Sequence, residues 1–190
     1  GVNAEVVLDL FTASVEIKGK NGVEIKSFVD ANQQKGWIKI TNLKSVFFTS
    51  LIVPPYQNKV VSVGDVVGGD DLGRLGYTKA TIDSGSNFKS FLQKGWDKFS
   101  YRSTMQWNQK ENEVNIIWTI QTNDKNEYPA LDTLSLQQQL NKGFDIAFKQ
   151  HQIWWANHWK KSSIDIPDTL LQKQWSITRY LMGAASRKNA

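Results

Sequence analysis

From Glu5 to Ile120 apolar and polar residues mostly alternate, the period that places side chains on the two faces of a β-strand. VVLDLFTASVEIKG reads as a strand pair, with Val15 and Ile17 facing one way and Glu16 and Lys18 the other. Asn21-Gly22 then supplies a two-residue turn of the kind that joins antiparallel strands. VEIKSFVDA and GWIKITN continue the alternation, and SVFFTSLIV is a more continuously apolar strand that ends at Pro54-Pro55. After a Gly/Asp-rich loop come GYTKATID, KFSYRSTMQW and NEVNIIWTIQT, each rich in β-branched and aromatic residues. About eight short strands with short turns predict an antiparallel β-sandwich over residues 1–128.

The period changes at Pro129. Leu136, Leu140, Phe144, Ala147, Phe148, His151, Trp154, Trp155, His158 and Trp159 recur at intervals of three and four. That spacing is one stripe of a long amphipathic helix between Pro129 and Ser163, opened by Ser135 with Gln138 three residues on. SSIDIPD breaks it, and Asp168 is a good N-cap for a second helix, TLLQKQWSITRYLMG. Leu171, Trp175, Thr178 and Met182 fall on one face of that helix, and Gly183 ends it. The expected fold is therefore mainly β with C-terminal helices, the helical part covering 129–190.

Composition narrows the function classes. A hydrophobic content of 40% with 22% charged residues is that of a folded chain, and no apolar run approaches the roughly 20 residues that span a bilayer. The absence of cysteine removes disulfides, thiolate metal sites and cysteine nucleophiles. The net charge of +5 comes mainly from scattered lysines, with only Arg74, Arg102, Arg179 and Arg187 as arginines. A nucleic-acid surface concentrates such charge on one face, so the excess serves solubility instead. The first residue is glycine and no charged-then-apolar leader follows, as in a processed chain or a piece cut from a longer one.

Candidate chemistry is sparse. His151 and His158 stand seven residues apart on one helical face, about 10 Å distant, whereas helical zinc pairs need a spacing of four. Trp37, Trp96 and Trp107 are the candidates for a sugar-stacking platform, and Trp118 within NIIWTI belongs to the core. His151, Trp154, Trp155, Trp159 and Trp175 are better placed as a wedge between domains, because each indole buries a large apolar area. Asp65, Asp70 and Asp71 in the loop Gly64 to Tyr77 come nearest to a cation site, but their spacing matches neither an EF-hand nor a Walker loop. No metal or cofactor is expected, and the loop is expected to be a surface segment able to reach over a neighbouring site. GxSxG, HExxH and GxGxxG are all missing, and no pair of carboxylates is brought together, so no catalytic residue is assigned.

With its flanks, the tryptophan-rich stretch resembles the helical linker of bacterial glycoside hydrolases built from an N-terminal β-supersandwich, two linker helices and an (α/α)6 barrel. The shared pattern is H-x-x-W-W-x-x-x-W-x-x-S-x-I-x-I-P-D, carried by His151, Trp154, Trp155, Trp159, Ser162 or Ser163, Ile164, Ile166, Pro167 and Asp168. A helix ending near Tyr180 follows, and LDLFTASVEI is similar to that group's early hairpins. The likeness is to the family 95 group (α-L-fucosidase and α-L-galactosidase type), with families 65 and 94 sharing the plan. His158 departs from the group, which often carries an aromatic residue there.

The resemblance implies a galactose-mutarotase-like supersandwich followed by two linker helices. It also implies a periplasmic or secreted location and a barrel of the same polypeptide as partner. That group's catalytic residues lie in the barrel, so none carries over to this chain. The function implied is bracing the barrel, with one loop lent to the sugar site. Two other readings stay open: a free-standing module that binds oligosaccharide, and a structural domain that forms a homodimer through its helices.

Overall fold

A computed structural model describes residues 4–47, 49–51, 53, 54, 56, 77–123 and 128–186. Eight strands are present among them: β1 (Ala4–Asp9), β2 (Ser14–Gly19), β3 (Glu24–Val29), β4 (Lys35–Thr41), β5 (Thr81–Ser84), β6 (Phe88–Lys94), β7 (Ser100–Lys110) and β8 (Glu113–Thr122). They join one antiparallel sheet in the order β1-β2-β3-β4-β8-β7-β6-β5. Helices α1 (Thr133–Lys142), α2 (Phe144–Lys160) and α3 (Thr169–Ala185) follow. The fold is thus mainly β and sandwich-like with C-terminal helices, as the change of hydrophobic period predicts.

The chain gathers into two compact units, each discontinuous in sequence. Gly1–Phe47, Asn108–Ile117 and Gln138–Ala190 form the first, and Phe48–Trp107 with Trp118–Gln137 the second. In the first unit β1 to β4 make a meander whose register sets Ser14 opposite Phe28 and Phe28 opposite Trp37. Because alternate residues share a face, that register lines up the side chains on which α2 rests. Phe28 meets Phe144 and Phe148 at 5.2 Å and His151 at 4.6 Å, ring centre to ring centre. Trp37 meets the edge of Phe144.

In the second unit the centre is more polar. Ser90 bonds Thr104 across β6 and β7 at 2.9 Å, and Arg102 reaches Asp83 at 2.5 Å and the Pro129 carbonyl at 2.8 Å. Phe91 packs edge-on to Tyr101. Burial, with Tyr56 and Tyr77 beside it, pushes the Tyr101 phenol well above its ordinary range.

Four local expectations need correction. The turn after β2 holds three residues rather than two: the Gly22 N–H bonds Gly19 O, the Gly19 N–H bonds Val23 O, and Gly22 takes φ 82°. The apolar stretch SVFFTSLIV carries no strand among its described residues. The Gln109 side chain takes the place of a neighbouring strand there, accepting from Phe47 N–H at 2.8 Å and donating to Ser45 O at 2.9 Å. Strand β6 was not foreseen, because its alternation buries Ser90 and Gln93 as well as Phe91 and Leu92. Trp118 stays half-buried rather than joining the core, while Ile116 and Ile117 are fully inside.

The long helix is two helices. Gly143 between α1 and α2 has φ 98°, a left-handed value that a helix interior does not admit and that glycine adopts without penalty. The first helix starts at Thr133 rather than Ser135, because Asp132 Oδ1 accepts the Ser135 N–H at 3.0 Å. The Asp168 cap is as predicted, Oδ1 accepting from the Leu170 and Leu171 N–H groups at 2.9 and 3.0 Å. Gly183 does not end α3, which runs on to Ala185.

Candidate functional site

The richest constellation is where α2 and α3 meet in the first unit. His151 is completely buried on α2 and binds two turns of the meander at once. Its Nδ1 accepts the Ala31 N–H at 3.1 Å, and Nε2 pairs with the Thr12 carbonyl at 2.8 Å. An acceptor on one nitrogen and a donor on the other define the neutral Nε2–H tautomer. Two turns later Trp159 donates its indole N–H to Phe11 O at 3.0 Å and packs on the Phe11 ring at 5.1 Å. These two residues lock α2 to the β1–β2 turn, where Asp9 Oδ1 accepts the N–H groups of Phe11 and Thr12. Burial works against the Asp9 carboxylate, but the Thr12 side chain, those backbone N–H groups and the Lys26 charge outweigh it and hold its pKa below the usual value.

Trp155, 1% exposed, is the hub. Tyr180 of α3 stacks on it at 5.6 Å, and Gly183 lies so close that a β-carbon there would stand 3.0 Å from its ring and 2.8 Å from His158 Nε2. Arg179 fastens the pair by donating to the carbonyls of His158 (2.6 Å), Trp159 (3.2 Å) and Ser162, the open end of α2. Its guanidinium also lies between two indoles, 5.1 Å from Trp159 and 4.8 Å from Trp175.

His158 stacks flat on Trp154 at 5.5 Å with 6° between planes. Its Nε2 is buried with no partner among the described residues. Burial is the main cause holding its pKa below the ordinary value, and the charges of Arg179 and Lys161 add to it. Lys39 shows the opposite balance near the start of α2. Burial there lowers the ammonium pKa, but ion pairs to Glu113 (3.2 Å) and Asp145 (3.3 Å) leave it raised overall.

The five residues expected as a wedge between domains all lie within one compact unit. His151 and Trp155 are interior, and Trp154, Trp159 and Trp175 are half-buried. Arg179 and Gly183 escaped sequence reasoning. The spacing of Arg179 four residues after Trp175 was a legible cation–indole signal, whereas nothing local marks Gly183 as a contact point.

The sugar-contact candidates do not form a platform. Trp37 is a correction: at 2% exposure and against the edge of Phe144, it is buried and is not an exposed stacking face. Trp107 is half-buried and its backbone N–H bonds Asn87 O just before β6. Trp96 alone of the three is exposed, at 66%, on the β6–β7 turn. Asp97 and Lys98 hold positive φ there, and Asn123 clamps the turn through Lys98 O and the Ser100 N–H, each at 2.9 Å. Asp65, Asp70 and Asp71 lie outside the described residues, as does Pro55. Among the described residues no three His, Asp or Glu side chains converge as a metal-ligand set. No described helix is long and apolar enough to cross a membrane.

Fold and site together define a mainly β protein whose α2 is stapled to the sheet by aromatic residues and His151, and whose α3 is fastened to α2 by Tyr180 and Arg179. No protein-family model matches the chain, and no curated protein matches it significantly.

Proposed function

We propose that this chain is the non-catalytic sandwich-and-linker part of a carbohydrate-active enzyme, a glycoside hydrolase whose catalytic domain rests on α3. The observation that carries the reading is the two-sidedness of α3. One side is stapled to α2 through Tyr180, Gly183 and Arg179, while Leu170, Leu171, Leu181 and Met182 on the other are 57 to 65% exposed. Large apolar side chains exposed at both ends of one helix face are what a docked partner would cover. The linker-like pattern from His151 to Asp168 supports a helical barrel as that partner. In this reading the chain holds α3 at a fixed angle and supplies no acid or base. The chemistry would be inverting hydrolysis by two carboxylates of the barrel, spaced to admit a water.

The test is expression of the coding sequence beyond Ala190 together with this chain, assayed on aryl glycosides. The joined protein is expected to hydrolyse one of them, and deletion of residues 4–186 to abolish that activity. A reading frame that stops at Ala190 overturns the proposal. So does hydrolysis by the 190 residues alone that vanishes when one of their carboxylates is replaced.

A further inference from the structure

Along the side of α2 away from α3's staple, beside the β3–β4 turn, two depressions meet at Gln150. The smaller, about 180 Å³, is bordered by Asp30, Gln33, Gln139 and Lys142 around Trp37 and Gly143. The larger, about 400 Å³ and more open, is bordered by Asn32, Ile153, Trp154 and Asn157. Gly143, Ile146, Gln150, Trp154 and Asn157 follow one another at three or four residues, so they form one line along the helix. Fourteen residues at about 1.5 Å each make a strip roughly 21 Å long, the length of a short oligosaccharide.

The chemistry of the strip is selective. Five of its bordering residues are side-chain amides, each with two N–H donors and a carbonyl acceptor side by side. Neighbouring hydroxyls of a pyranose offer the matching array, every hydroxyl both donating and accepting. The amides of Gln150 and Asn157 make no hydrogen bond to other described residues and are exposed. Asp30 is 5% exposed and fixed by accepting the Asn32 N–H at 2.8 Å, which holds the turn against the helix.

Trp154 supplies a flat, half-exposed wall whose orientation is set by the stacked His158 on one side and the edge of Trp155 at 5.1 Å. Such a preset ring loses little entropy when an apolar sugar face lies on it. One ammonium, Lys142, and one carboxylate, Asp30, border the strip, which is therefore near neutral. A phosphate polymer needs several cations along its path, and an acyl chain needs an amide-free lining.

We propose that this strip is a binding site for a neutral oligosaccharide, one unit in the smaller depression and a neighbouring unit stacked on Trp154. The proposal goes beyond the bracing role and does not rest on it.

The experiment is a titration of isotope-labelled 190-residue protein with neutral oligosaccharides of glucose, xylose, mannose and galactose, followed by nuclear magnetic resonance. With at least one of them the Trp154 indole and the Gln150 and Asn157 amide signals are expected to shift. The double variant Gln150→Ala/Asn157→Ala removes only exposed side chains and is expected to keep its fold. It should lower the affinity tenfold or more, the effect of losing about 1.4 kcal/mol. No shift with any of the four sugars overturns the proposal, as do shifts confined to the Trp96 turn or a double variant that binds like the parent. Shifts produced by unstructured peptides and not by sugars overturn it in favour of a peptide groove. Each of these results leaves the activity test of the joined protein unchanged, so the two readings fail separately.

Discussion

Two residues, Gly183 and His158, set how closely α3 approaches α2, and each makes a prediction of its own. Replacing Gly183 by alanine raises helix propensity by about 1 kcal/mol. The new methyl also meets His158 and Trp155 at 2.8 to 3.0 Å, and overpacking of that kind costs about 1 to 3 kcal/mol. Overpacking wins because the His158 ring is held flat on Trp154 and the other close neighbour, Trp155, is fully buried. Gly183→Ala should therefore lose up to about 2 kcal/mol in denaturant unfolding, and an unchanged or higher midpoint would refute the close contact.

For His158 the folded-state pKa lies below the ordinary 6.5 because of burial. The unfolded chain thus takes up its proton at higher pH than the folded chain does. Stability from this residue is complete above pH 6.5 and is lost as pH falls through the folded value. Asp9 and Glu16, whose pKa values are lowered from 3.8 and 4.5, add their losses only at lower pH. The window between pH 6.5 and 4.5 therefore lies above these two carboxylates. His158→Gln should flatten the decline of the unfolding midpoint there; an identical decline in both proteins would assign it elsewhere.

At the scale of elements, the helical region shows what a residue pattern conveys and what it misses. The 3.6 period of apolar residues is continuous across Gly143, so α1 and α2 read as one helix. The break comes from a single dihedral, φ 98°. Gly143→Ala should cost about 1 kcal/mol or more through left-handed strain, despite the better helix propensity of alanine. A stabilised variant would mean that the helices can fuse. Asp168 is the converse case, where local chemistry specified the cap and tertiary contacts only preserved it. Asp168→Ala should cost about 1 kcal/mol and fray α3 first, visible as faster amide exchange at Leu170 and Leu171.

At the scale of the whole molecule, the exposed face of α3 is the feature that stability of this chain does not explain. Leu171→Lys with Met182→Lys should leave the unfolding midpoint within about 0.5 kcal/mol, as surface substitutions do. In a protein joined to the proposed catalytic domain the same pair should cost activity and thermal stability together. If the joined protein tolerates both lysines, α3 is not the seat of that domain.

The sequence by itself determined the period of each region, the mainly β class and the Asp168 cap. All of these rest on interactions within a few residues along the chain, which spacing records directly. Only the tertiary structure decided that Trp37 is buried, that SVFFTSLIV is served by Gln109 instead of a strand, and that Gly183 is a contact point. It also decided that the packing face of α3 runs through Tyr180 and Gly183, while the predicted line of Leu171 and Met182 faces outward. Which flank of a helix is covered depends on what lies beside it in space, and a one-dimensional pattern holds no record of that neighbour.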